Sequence, residues 1–192
     1  MEKVYIQIAR DLGCIEDEQK RQKFYVGSGL NPTELKRHEY TVWQSVRTMN
    51  NIPTWKFAIS KKVRFMTNES IDSIEARLLE LKTIHPFQFS SIEEPMLKEL
   101  YVIRNGYAWG QKGNFWIMST QDHSRKFNLS SIEEYDLWIE ASSYRNLHTL
   151  TTALAKKRNI HLDDALKIVV KAARNFVRAG VWTIEYIEGG AI

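Results

Sequence analysis

The chain of 192 residues holds one cysteine, Cys14, four prolines and nine glycines. A single thiol closes no intramolecular disulfide and cannot form an all-cysteine metal site. No run of 18 apolar residues occurs, so no membrane-spanning helix is expected. Met1-Glu2-Lys3 begins no apolar secretory segment, which makes the cytoplasm the expected compartment. His38, His85, His123, His148 and His161 are scattered without ligand spacing or a His-Glu-x-x-His pair. Neither a metal nor another cofactor is therefore expected. Gly27-Ser28-Gly29 lacks the spacing of a phosphate loop, and Cys14, expected in a polar loop, has no histidine near it in sequence to activate it. The acids Glu133-Glu134 and Asp163-Asp164 fall at helix starts, where the helix dipole accounts for them. With neither a nucleophile–base set nor paired catalytic carboxylates, the chain is not expected to be an enzyme.

What is present is globular. Hydrophobic residues make up 43% and charged residues 26%, enough apolar surface to offset the chain entropy lost on folding. The length suits one large domain or two small ones of about 100 residues. The net charge of +4 is unevenly placed, with 14 basic and 13 acidic side chains in 1–95 against 13 and 10 in 96–192. Between residues 154 and 178, Lys156, Lys157, Arg158, Lys167, Lys171, Arg174 and Arg178 meet only Asp163 and Asp164. Charge concentrated this way points to an acidic partner more strongly than mild overall basicity does.

An internal repeat organises the chain. Glu39-Tyr40-Thr41-Val42-Trp43 returns as Glu134-Tyr135-Asp136-Leu137-Trp138, 95 residues later. At that offset Asn51 matches Asn146, Thr54 matches Thr149, Ala58 matches Ala153 and Lys61-Lys62 matches Lys156-Lys157. Eight identities fall in the 51 positions from 39 to 89, where roughly three are expected by chance. Apolar positions align as well, as in Ile52/Leu147, Ile59/Leu154, Ile71/Leu166, Ile74/Val169 and Leu81/Phe176. Phe24-Tyr25-Val26 sits opposite Phe115-Trp116-Ile117, with a small gap. The expectation is a tandem duplication, with repeat one in 1–90 and repeat two in 96–192.

Each repeat reads as strands followed by three helices, an α+β class. In repeat one, Val4–Ile8 and Lys23–Val26 are rich in strand formers. Asn31-Pro32-Thr33-Glu34 offers an N-cap, a first-turn proline and a capping-box glutamate, predicting a helix to about Met49. Thr54 caps a short second helix, and a third spans about Glu69 to Lys82. In repeat two, Leu100–Arg104 and Asn114–Met118 flank a turn containing Gly106, Gly110 and Gly113. Ser130 with Glu133 forms a capping box, Thr149 caps the second helix, and Leu162–Ala179 forms the third, stopped by Gly180. Val181–Ile184 then reads as a strand that matches 86–89. Trp43 and Trp138 occupy matched core positions, whereas Tyr107, Trp109 and Trp116 around the glycines suit a sheet face, or stacking on bases or a peptide.

Strands, a tryptophan-bearing helix, a short helix, a turn and a long helix resemble the winged helix-turn-helix group. The series Phe127-Asn128-Leu129, Tyr135, Trp138, Leu147-His148-Thr149-Leu150, Leu154, Asn159-Ile160, Val169, Phe176 and Gly180-Val181 resembles more particularly the PqqD-like fold, the peptide-recognition module of ribosomally made, modified peptides. The expected architecture is thus a tandem repeat of two winged-helix-like units.

The two resemblances imply different partners. In helix-turn-helix proteins the later helix enters the major groove of double-stranded DNA. In the PqqD-like module a leader peptide lies against the third strand and third helix, extending the sheet. Only one strand follows Gly180, which speaks against a DNA-contacting wing. Lys167, Lys171, Arg174 and Arg178, in contrast, fall within about 60° on one face of the last helix. The first expectation is therefore a non-enzymatic, nucleic-acid-binding bacterial transcription regulator, contacting phosphates through that stripe and through Lys156, Lys157 and Arg158. Repeat one then supplies a secondary contact through Lys61, Lys62 and Arg64, or a homodimer surface. The alternative expectation is a PqqD-like peptide- or protein-binding adaptor, its peptide beside Asn114–Met118.

Overall fold

The computed structural model describes residues 5–28, 31–48, 52–129, 131–144 and 146–190. The chain is an α+β protein that divides into two compact units, Met1–Gln88 and Phe89–Ile192. Among the described residues no helix is long and apolar enough to cross a membrane.

Unit 1 runs β1 (Tyr5–Gln7), β2 (Arg10–Glu16), β3 (Gln22–Ser28), β4 (Asn31–Leu35), α1 (Arg37–Thr48), α2 (Ile52–Arg64), α3 (Ile71–Glu80) and β5 (Ile84–Pro86). β2, β3 and β4 form an antiparallel meander, and β1 pairs with β5 in a separate ribbon. The helices close over the inner face of the meander, where Val26, Leu35, Val42, Trp43, Ile74 and Leu78 are buried together. Trp43 is also tied through polar atoms. Its indole N–H donates to the Thr83 carbonyl at 3.1 Å, and its own carbonyl accepts from the Gln7 amide at 2.8 Å. Burying so large a ring contributes about 1.5–3 kcal/mol, and the paired N–H avoids a desolvation penalty.

Two readings of this half are corrected. The run 31–34 is strand β4, not a helix start. Five cross-strand pairs with β3 and the burial of Leu35 outweigh a local capping signal, and the helix begins at Arg37, where the Glu39 carboxylate accepts the Lys36 N–H at 2.8 Å. Cys14 lies not in a loop but in strand β2, exposed. β2 was illegible as a strand because nearly all of it faces solvent, leaving no apolar alternation. The last strand also begins earlier than expected, at Ile84.

Unit 2 runs α4 (Met96–Glu99), β6 (Leu100–Arg104), β7 (Gly106–Lys112), β8 (Phe115–Thr120), β9 (Lys126–Leu129), α5 (Ile132–Glu140), α6 (Leu147–Arg158), α7 (Leu162–Ala179) and β10 (Trp182–Tyr186). β7, β8 and β9 form a meander, and β6 pairs antiparallel with β10 from Leu100↔Tyr186 to Trp182↔Arg104. α7 and Gly180 lie where the apolar periodicity places them. Trp138 is buried, with the Arg104 guanidinium 4.2 Å from its ring centre. The span expected as a glycine turn is strand β7. Ser130 lies outside the described residues, and the cap of α5 is Ser131, whose hydroxyl accepts the Glu134 N–H.

Glycines carry the strand geometry. Registers slip between Asp11 and Gly13 in β2 and between Ala108 and Gly110 in β7, and the bulge glycines sit at φ +91° and +90°. Left-handed backbone at a bulge costs glycine nothing and other residues about 1–2 kcal/mol. Gly106 is constrained differently, since a Cβ there would lie 2.5 Å from the Ser119 carbonyl oxygen. Gly106→Ala is therefore expected to cost about 2 kcal/mol and Gly110→Ala about 1 kcal/mol, measured by denaturant unfolding.

The Tyr5 hydroxyl donates to Glu75 at 2.5 Å and the Tyr40 hydroxyl to Asp11 at 2.7 Å. Burial first, and the facing carboxylate second, push both phenols above their ordinary range. Above about pH 10 the unfolded chain releases these protons while the folded chain keeps them. The unfolded state then binds fewer protons, and stability falls as pH rises. Thermal melts should show a declining midpoint from about pH 10 upward, with a shallower decline in Tyr5→Phe.

Candidate nucleic-acid interface

α6 and α7 present the basic residues. Asn146 opens α6, its side-chain oxygen accepting the Thr149 N–H at 2.9 Å, so the cap is Asn146 rather than Thr149. Asn159 ends the helix in left-handed backbone, its N–H returning to the Ala155 carbonyl. Only 159–161 separate the two helices. The His161 ring then accepts the Asp163 N–H at 3.3 Å and starts α7. A short connection with a left-handed turn residue joins α6 to α7. α7 buries Leu166, Val169, Ala173, Phe176 and Val177 inward and leaves a cationic face outward.

The seven predicted cations do not share one fate. Lys157 lies 2.8 Å from Glu140 and 3.2 Å from Asp136, both on α5, and the Glu140 bond raises its pKa most. Arg158 pairs with the same buried Asp136. Lys167 bonds Asp164 at 2.9 Å; the pairing raises the lysine and lowers the carboxylate. Arg174 is half-buried, and desolvation holds its guanidinium below the ordinary range. Lys156, Lys171 and Arg178 are exposed and make no ion pair among the described residues. Lys171 and Arg178 lie on one stripe, two turns and about 10 Å apart along α7. The stripe of four therefore narrows to two fully presented cations on α7, with Lys156 on α6 beside them in sequence order. At the head of α7, Asp163 and Asp164 place negative charge where a recognition helix ordinarily meets base edges.

The role of Asp136 was not foreseen. It sits next to Leu137 and Trp138 on the inward arc of α5, and a carboxylate there requires a cation partner. That inward position was the available signal. Of the aromatics singled out in sequence, Trp116 faces inward and stacks on Tyr135 with ring centres 3.7 Å apart, whereas Tyr107 and Trp109 face solvent.

In unit 1, Lys61, Lys62 and Arg64 end α2 exposed, Lys61 lying over the exposed Phe57 ring at 5.7 Å. His38, Glu39 and Glu69 bring ligand atoms within 4.8 Å of one another. Arg77 pairs with Glu39 at 2.7 Å and Lys36 with Glu69 at 3.2 Å, so two cations already neutralise the cluster and it does not fit a metal ion.

These assignments separate structural from presented charge. Arg158→Ala should lower stability by about 1–3 kcal/mol, because it strips a partner from a buried carboxylate. Lys156→Ala should leave the melting midpoint unchanged. Thermal unfolding of both variants checks the pair. No protein-family model, no curated protein and no solved structure matches this chain.

Proposed function

We propose that the chain is a non-enzymatic nucleic-acid-binding protein, whose second unit docks duplex DNA through α6 and α7 as a transcription regulator would. The observation that carries this reading is the exposure of Lys156, Lys171 and Arg178, with no carboxylate partner among the described residues, on two helices joined by three residues. Cations so placed are neutralised most readily by phosphates, with counterion release as the driving force. Asp163 and Asp164 shift the contact towards the middle and end of α7. Phosphate contacts then outweigh base contacts, and the binding discriminates weakly between sequences.

A tandem origin is part of the proposal. Both units follow the order strand, three-stranded meander, three helices, closing strand. The bulge glycines Gly13 and Gly110 correspond, as do the stacks Phe24–Tyr40 and Trp116–Tyr135, which moves Phe24 opposite Trp116, one residue from the sequence alignment with Phe115. Matched links join first and third helices, Glu39 to Arg77 and Glu134 to Asn175. The third helices end in left-handed Lys82 and Gly180, 98 apart rather than 95. A shift of three residues is close to one helical turn, which is why the apolar faces still align at the smaller offset.

One observation favours the peptide-binding reading. β10 is spent on pairing with β6 instead of building a wing, and the outer edge of β9 carries no ladder among the described residues. A peptide would add at β9, since β8 is paired on both sides and cannot accept one beside 114–118.

Salt titration of binding to a generic duplex tests the proposal. Wild type should show a steep dependence, and Lys171→Ala/Arg178→Ala should lower the slope of log affinity against log salt by about two units, roughly 0.9 per cation, at unchanged thermal stability. A wild type without measurable duplex affinity at low salt would overturn it in favour of the peptide reading.

A further inference from the structure

The outward face of the β7–β8–β9 sheet carries a cluster of rings remote in sequence from the basic helix. Trp109 stands at the β7 bulge, 56% exposed, and Tyr107 is 49% exposed. The Trp109 indole N–H donates at 2.9 Å to the hydroxyl of Ser119, a fully buried residue, and that hydroxyl contacts His123 Nδ1 at 3.2 Å. The His123 ring stacks on Tyr107, centres 4.9 Å apart, and meets Trp109 edge-on at 5.6 Å. Lys126 holds its ammonium 4.9 Å from the Trp109 ring centre. The rings are therefore fixed in place rather than loosely displayed, and little side-chain freedom remains to be lost on binding. His123 itself adopts left-handed backbone, φ +57°, in the turn between β8 and β9. That conformation carries a local cost for a non-glycine residue, and it swings the ring back over β7.

The charge around the rings selects the ligand. Lys112, Arg125 and Lys126 are exposed on this sheet and its turn, with no carboxylate partner among the described residues. Asp122, in the same turn, holds the turn together and stays ionised, one negative charge against three cations. It accepts from the Thr120 hydroxyl at 2.5 Å and from the Ser124 N–H and hydroxyl, which hold its carboxyl down to about 2. Three exposed cations beside the rings favour an anionic ligand over a neutral sugar. Duplex DNA keeps its bases stacked away from such a face, whereas unstacked bases can lie on it.

We propose that Trp109 and Tyr107, with His123 and Lys126, form a binding platform for single-stranded nucleic acid, bases stacking on the rings and phosphates meeting Lys112, Arg125 and Lys126. This site is independent of the α6–α7 reading and stands or falls without it. The probe is a fluorescein-labelled oligothymidylate of about 12 nucleotides, within the site sizes of stacking surfaces, followed by anisotropy at low salt on the full chain. Wild type should bind, and Trp109→Ala and Tyr107→Ala should each weaken binding roughly tenfold or more. Lys126→Ala should weaken it and flatten its salt dependence. Circular dichroism melts accompany each variant, and Trp109→Phe should keep most of the affinity, since it retains a stacking ring. In the Lys171→Ala/Arg178→Ala background, Trp109→Ala should weaken oligothymidylate binding by the same factor as in the wild-type background, which separates failure of this site from failure of the duplex site. Absence of oligothymidylate binding by wild type, or equal binding by folded Trp109→Ala, would overturn the platform. So would tryptophan quenching by a neutral oligosaccharide in place of the oligonucleotide.

Discussion

β6 and β10 lie antiparallel over five residue pairs, joining Leu100 to Tyr186 and Arg104 to Trp182, and β1 and β5 do the same in the first unit. Each ribbon ties the opening strand of its unit to the strand that follows the third helix. Such a closure costs loop entropy that only the packed helices between can offset, which links ribbon and helical core into one cooperative arrangement. It also decides what remains available at the surface. The last strand is committed to the ribbon and cannot serve as a wing, while β7–β9 is left as a separate sheet with its outer face uncovered.

A second economy governs charge. Buried carboxylates draw cations towards the core. Glu39, fully buried on α1, holds Arg77 of α3, and Asp136 on α5 holds Lys157 and Arg158 of α6. In each case an interior acid clamps two helices and neutralises the basic group that reaches it. The basic character of 154–178 is thus divided between holding α5 against α6 and facing solvent. Exposed and without an ion pair among the described residues are Lys156, Lys171 and Arg178, the set on which the proposed phosphate contact rests.

Unit 2 consequently offers two chemically different faces. The helical face is cationic and almost without exposed aromatic rings. The sheet face combines rings with the exposed cations Lys112, Arg125 and Lys126, and Asp122 is held in its turn. On the proposals above the helix cations would take duplexes, since they need only phosphates, and the exposed rings would take unstacked strands, since they need accessible bases.

Helices were largely legible from the linear chain. A period of 3.6 with one apolar face is a local property, and it located α7 and its Gly180 stop, while Trp43 and Trp138 are buried as expected. The mixed helix-and-strand class followed from the same local signals. Strands β2, β4 and β7 were not legible. Bulges at Gly13 and Gly110 break the two-residue alternation, solvent exposure removes the apolar half of the pattern, and Asn31-Pro32-Thr33-Glu34 imitates a helix start that cross-strand pairing overrides. Nor could charge counting along the chain tell Lys156 from Arg158, two residues apart, although one meets water and the other a buried carboxylate. That difference arises from Asp136, 22 positions away, and from its burial. A side chain's helical angle is set by neighbours in sequence, but its partner is set by whatever the fold brings against it.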